Sequence, residues 1–300
     1  MDKQQLREFA AGLGINMLGI APISRFEDFA PRLNPASIFP ETKSVIVCGR
    51  SIPRGDFRGV EEGTLWSFPG KRIDRRVLEE ICLFIENESG CEAVAYAANN
   101  TTSAPRSRPV REGQVIHNVS LNFEYAAVAA GLGEISFCGQ LLTPNYGPRN
   151  ALGIVMTELE LEPDPLFEGS ICDRADCRKC ADICPSRAIN PDKTVVIDIC
   201  GKRMELADVN FDLCRICPNG AAPDFDNRIG QEELMYDLAG NQPKIVETST
   251  ALTRRNIPNV MNALCTRTCI AHLDDEEKIG IKYKNPFRTE KPWVLQTWER

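Results

Sequence analysis

The sequence predicts an α/β (α+β) fold, with a sheet-and-helix domain in front of a cysteine-rich module. Three observations carry this. Short β-branched runs are edged by Gly, Pro or Asn, apolar residues between them recur every four positions, and cysteine density rises sharply after residue 170. Of thirteen cysteines, only Cys48, Cys82, Cys91 and Cys138 precede that point. The acidic, Pro-containing stretch LELEPDPLFEGS marks the change. The expected division is therefore residues 1–165, 166–281 and a C-terminal tail over 282–300.

Taken in order, the N-terminus reads as an amphipathic helix, with Leu6, Phe9, Ala10 and Leu13 on one face. It has no basic region followed by a compact apolar stretch, so a secretory leader is not expected, and a cytoplasmic location is. SVIVCG (Ser44–Gly49), EAVAYA (Glu92–Ala97) and ALGIVMT (Ala151–Thr157) read as buried strands. Ile73, Val77, Ile81 and Ile85 predict a helix between the first two. Val119, Phe123, Ala126, Ala127 and Ala130 predict another, stopped by Gly131. Cys48, Cys82 and Cys91 sit in or beside these elements and read as small buried hydrophobes.

Composition excludes some classes of function. No run of about 18 apolar residues exists, so no transmembrane helix is expected. A net charge of −7 argues against a broad nucleic-acid surface. The exception is PRSRPVREG, where Arg106, Arg108 and Arg111 are either ordinary surface charge or an anchor for an anion.

The chemistry is concentrated in CDRADCRKCADICPSRAI. Cys177, Cys180 and Cys184 follow C-x2-C-x3-C-P, with Cys172 upstream. A reduced compartment disfavours disulfides for so many thiols, and this triplet is not a usual zinc-ribbon pattern. It is the spacing of a bacterial ferredoxin, in which the cysteine before proline serves the second of two clusters. Downstream come Cys200, then Cys214 and Cys217, then Cys265 and Cys269. Two [4Fe–4S] clusters held by cysteine need eight thiolates. Seven come from Cys172, Cys177, Cys180, Cys184, Cys200, Cys214 and Cys217, and the eighth from Cys265 or Cys269. Which of Cys217, Cys265 and Cys269 completes which cluster stays open at this level.

Ahead of the cysteines, AAVAAGLGEISFCGQLLTPNYGPRNALGIVMTELELEPD, Ala126 to Asp164, carries an alanine-rich helix, A-G-L-G and then L-L-T-P-N-Y-G-P-R. Together with LGINMLGIAPISRF, ETKSVIVCGRSIP and the cysteine triplet, it resembles the epoxyqueuosine reductase and reductive dehalogenase superfamily of corrinoid iron–sulfur enzymes. The resemblance covers most of the chain. It implies a nitroreductase-like sheet-and-helix domain followed by a bacterial-ferredoxin-like two-cluster module, with cobalamin between them and electrons passing through the clusters to cobalt.

Carried over by position, Gly131, Gly133, Glu134, Cys138, Leu142, Thr143, Tyr146, Gly147 and Arg149 would line the corrinoid, with Cys138 read equally as a buried structural thiol. A flavin in the same pocket is the lesser alternative. His117 stands where the relatives carry an acidic proton donor. His117 or Tyr146 would protonate the anion left by reductive bond cleavage; as simpler readings, His117 is a helix cap and Tyr146 packs a tight turn. LGEIS lacks the second glycine of most relatives, and CRICPNG lacks the full C-x2-C-x3-C-P of a second ferredoxin motif, since position 221 is Ala. No counterpart of the tRNA-gripping helical repeat follows, so a small-molecule substrate and a ferredoxin- or flavodoxin-type donor are expected in place of tRNA. The alternative from another class is an electron-transfer protein that feeds a partner and has no substrate chemistry of its own.

Overall fold

The computed structural model describes residues 1–62, 72–97, 119–184, 187–211, 214 and 264–287. His117, Cys217, Arg106, Arg108, Arg111 and residues 288–300 of the tail lie outside them. The described part is a mixed α/β fold with antiparallel sheets. Helix α1 (Lys3–Gly12) starts on a capping box: Asp2 accepts from the Gln5 amide at 2.9 Å, and the Gln5 side chain accepts from the Asp2 amide at 2.8 Å. Its buried residues are Leu6 and Ala10, and Phe9 stacks on Phe84 with ring centroids 4.1 Å apart.

Four strands form the main sheet, in the order β1 (Met17–Pro22), β2 (Ser44–Ser51), β6 (Asn150–Thr157), β3 (Ala93–Tyr96). Every neighbouring pair is antiparallel. All eight residues of β6 are buried, which requires cover on both faces. Alternation along the strands supplies it. Val45, Val47, Leu152, Ile154 and Met156 point to helix α3 (Phe123–Ala129). Ile46, Cys48 and Val155 point to α1 and to helix α2 (Arg75–Ser89). Cys48 and Cys82 meet in that second core, where burial pushes both thiols up to about 12, as expected of inert apolar fillers.

Helix starts differ from the sequence expectation for a local reason. Asn122 accepts from the Tyr125 amide at 2.9 Å and caps α3, so the helix begins at Phe123 and not at Val119. Asp74 caps α2 in the same way, leaving Ile73 outside the helix with its amide on Leu152. After α3 come two short paired strands, β4 (Glu134–Ile135) and β5 (Leu141–Leu142). The cysteine region contributes a single turn, α4 (Lys179–Asp182), then a long hairpin, β7 (Ile189–Ile199) with β8 (Lys202–Val209). The hairpin buries Ile199, Met204 and Leu206 in the α3 core. Helix α5 (Leu264–Asp275) lies against α4. Among the described residues, no helix is long and apolar enough to cross a membrane.

Asp164 closes the first half of the chain onto itself. Its carboxylate meets Lys3 and Arg7 at 2.7 Å each and accepts from the Ile20 amide at 3.0 Å. Arg25 reaches across to the carbonyls of Ala129 and Asp164. The loop that follows is thereby started from a fixed point.

Candidate metal centre

Three chain segments bring five thiols together. Cys138 comes from the β4–β5 turn, Cys172 and Cys177 from the loop before α4, Cys180 from α4 itself, and Cys269 from α5. They line one narrow cavity that opens to solvent. Phe137, Leu142, Ile171 and Leu273 complete an apolar wall, with Lys179 and His272 at the same cavity. The Phe137 amide donates to Cys172 Sγ at 3.4 Å, and Ser136 Oγ lies 3.4 Å from Cys138 Sγ.

The thiols sense one another. A hydrogen bond with Cys138, then burial, pushes Cys180 far up. Burial, then the charges of Cys138, Cys172 and Cys177, raises Cys269. Burial also carries Cys172 to about 11, against the stabilising Phe137 amide. Such a group stays protonated at neutral pH unless a cation displaces the protons, and a metal core reverses the repulsion that holds them on.

Cys184, Cys265 and Cys214 adjoin these thiols: Cys184 and Cys265 share one apolar cluster with Cys180, and Cys138, Cys172 and Cys214 pack against it. Gln140 Nε2 donates to Cys265 Sγ at 3.8 Å and to Thr266 Oγ1 at 2.8 Å, tying α5 to the β4–β5 turn. Cys200 lies outside this cluster and the cavity. It occupies the β7–β8 turn with φ of 54°, donates to the Arg25 carbonyl at 3.3 Å, and packs on the α3 core.

The donor set fits an iron–sulfur core. Every donor is a soft cysteine sulfur, and the thiols, Cys180 buried and the other four half-buried, line one apolar cavity. Among the described residues, no three His, Cys, Asp or Glu side chains converge on a single-ion site. A multi-iron core spreads its ligands more widely than one ion does.

One carboxylate positions the first ligand loop. Glu134, only 2% exposed, accepts from the amides of Ile171 and Cys172 at 2.6 and 2.7 Å through Oε1. Its Oε2 meets Arg174 Nη2 at 2.5 Å, and Arg174 also donates to the Ile135 carbonyl at 2.9 Å. Lys202 stands 3.9 Å behind, its ammonium on the carbonyls of Phe167 and Gly169. Arg178 then stacks over Phe137 at 4.1 Å.

The residues carried over to a corrinoid pocket are largely engaged by the chain itself. A Cβ on Gly131 would sit 2.1 Å from the Pro165 carbonyl oxygen, and one on Gly133 only 1.9 Å from that of Leu142. Close backbone packing therefore accounts for both glycines. Glu134 is the loop clamp, and Cys138 and Leu142 line the thiol cavity. Thr143 and Gly147 exchange backbone hydrogen bonds of 3.0 and 2.8 Å across a tight turn. Arg149, 3% exposed, donates to the Ile52 carbonyl at 2.8 Å, while its Nε and Nη2 have no hydrogen-bond partner. Tyr146 is half-buried, 5.7 Å beneath the Arg149 guanidinium.

The sequence offers Cys138 as a neighbour of the corrinoid or as a buried structural thiol, and it does not single out His272, Lys179 or Gln140. Cys138 stands alone in its segment, far from the C-x2-C-x3-C-P run. Only the pairing of β4 with β5 turns it toward that run.

No protein-family model matches the chain. The tetrachloroethene reductive dehalogenase of Desulfitobacterium hafniense is 44% identical over 68 residues, which is 22% of this chain and 12% of that protein. The epoxyqueuosine reductase of Staphylococcus aureus is 24% identical over 219 residues, 62% of this chain and 52% of the relative. That of Bacillus subtilis is 21% identical over 221 residues, with 63% and 52% covered. The matched part spans about half the length of the epoxyqueuosine reductases and about an eighth of the dehalogenases. Among solved structures, a reductive dehalogenase superposes with a TM-score of 0.46 at 17% identity, covering 88% of this chain and 37% of that one. The Streptococcus thermophilus epoxyqueuosine reductase gives 0.45 at 17% identity, covering 99% of both. The sequence matches make the chain a homologue of both groups.

Proposed function

We propose that this homologue of the reductive dehalogenases and epoxyqueuosine reductases is an iron–sulfur oxidoreductase. Its two [4Fe–4S] clusters pass low-potential electrons toward a corrinoid and a small-molecule substrate. The observation that carries the proposal is the meeting of five thiols from three separate segments in one apolar cavity, with three more beside them. When bound, the clusters supply single-electron transfer and the corrinoid a reducible cobalt. The first cluster is assigned to Cys172, Cys177, Cys180 and Cys269. The second takes Cys184, Cys214 and Cys265, with Cys217 as the fourth. The chain's own part is to fix the Cys172 loop through Glu134, to tie α5 through Gln140, and to line the thiols with apolar side chains.

The corrinoid rests on the relatives and on the likeness of Leu141–Arg149. Gly131, Gly133, Glu134, Thr143 and Gly147 each have a contact within the chain that accounts for them, so no step is derived through the corrinoid. That same observation favours the second reading, an electron-transfer protein that serves a partner. Titration of the anaerobic protein with cobalamin separates the two: the enzyme binds it base-off with shifted visible bands, and the carrier leaves its spectrum unchanged. Tyr146 is the remaining proton-donor candidate among the described residues, having a hydroxyl on a half-buried ring.

The ligand assignment has its own test. Cys269→Ser is expected to lower iron by about four per chain, the content of one cluster. Cys200→Ser is expected to keep wild-type iron, because Cys200 lies at the α3 core. Equal loss in both variants would return Cys200 to the ligand set and overturn the placement.

A further inference from the structure

Five thiols stand at a cavity whose expected occupant has four iron corners to be ligated. One thiol is therefore supernumerary, and the geometry points to Cys138 as a stand-in ligand for Cys172. The inference rests on the iron–sulfur reading above and goes beyond it by assigning a role to a residue outside the cysteine run.

Three observations support this choice. Cys138 follows Phe137, whose amide already touches Cys172 Sγ, so the two sulfurs approach the same side of the cavity. Cys138 also faces the other members of the set, through its hydrogen bond with Cys180 and its charge interaction with Cys269. Finally, the turn that carries it has room. Gly139 has nothing within 4 Å of where a Cβ would stand, and Cys138 itself is half-buried. Cys177 and Cys180, by contrast, belong to the loop and helix fixed by Arg178 and α4.

The exchange balances without a redox partner. Were Cys172 to leave its iron and take up a proton, Cys138 Sγ would give its own proton to solvent and form the iron–sulfur bond in its place. The iron oxidation state does not change. The result is a centre that tolerates loss of Cys172, which lies five residues upstream of Cys177 and outside the C-x2-C-x3-C-P run that carries Cys177 and Cys180.

The test is a double-mutant set in the full chain, purified anaerobically: wild type, Cys138→Ala, Cys172→Ala, and both together. Iron and acid-labile sulfide are counted, and the reduced proteins are compared by electron paramagnetic resonance. Each single variant is expected to keep wild-type iron, with an altered resonance line shape in Cys172→Ala. The double variant is expected to lose about four irons per chain. The iron retained at Cys184, Cys214 and Cys265 serves as an internal measure of folding.

Loss of those irons in Cys172→Ala alone would overturn the proposal. Loss in Cys138→Ala alone would make Cys138 an obligatory ligand and overturn it as well. Full iron in the double variant would overturn it too. A wild-type protein without iron and sulfide would instead overturn the reading beneath it.

Discussion

Glu134→Ala is expected to lower the stability of the cofactor-free protein by about 3 kcal/mol or more, at the scale of a broken buried ion pair. The carboxylate is 3% exposed in its side chain and satisfies two amides and Arg174 at once. Its removal leaves two backbone donors without an acceptor and the largely buried Arg174 guanidinium without its counter-charge, holding only the Ile135 carbonyl, and each such group carries its own desolvation cost. Glu134→Gln keeps an acceptor for the two amides but turns an NH2 toward Arg174, so an intermediate loss is expected. Urea unfolding, with unchanged slope, checks both. A residue whose task is to contact a corrinoid would behave in the opposite way, with normal apo-stability and weakened cobalamin binding.

Gly133→Ala is the second large effect. The added Cβ would stand 1.9 Å from the Leu142 carbonyl oxygen and 2.9 Å from its carbon, both backbone atoms. No flexible side chain is available to move aside, so the β4–β5 pairing of Glu134 with Leu142 has to open. The cost is expected at the top of the overpacking range, about 3 kcal/mol, with reduced soluble yield. Gly12→Ala, at the end of α1 with nothing within 4 Å, provides the control. It is expected to be neutral or stabilising by up to about 1 kcal/mol. Comparable losses in both variants would contradict the packing account of Gly133.

The contrast between these two sites and the cysteines shows what could be read from the sequence. β2, β3 and β6 were legible as short β-branched runs edged by Gly, Pro or Asn, and α1 and α2 because burial repeats apolar residues every three or four positions. The first-ligand run was legible because thiolates on one core need close spacing. Hairpin β7–β8 was not anticipated: INPDKTVVIDI is exposed over most of its length and shows no alternation of buried and solvent-facing residues. Its pairing instead places Cys200 against the α3 core and away from the other cysteines. A-G-L-G was noticed, but its cause lay in long-range contacts with Pro165 and Leu142 that no local pattern encodes. Cys138 and Cys269 reach the same cavity only through the pairing of β4 with β5 and the packing of α5 on α4.

The central claim is that these thiols hold two iron–sulfur clusters. Iron and acid-labile sulfide analysis of the anaerobically purified chain tests it most directly. The account predicts about eight of each per chain, with a low-temperature paramagnetic signal after dithionite reduction. Zinc without sulfide, or iron near four with Cys184, Cys214 and Cys265 still reactive toward alkylation, would contradict it.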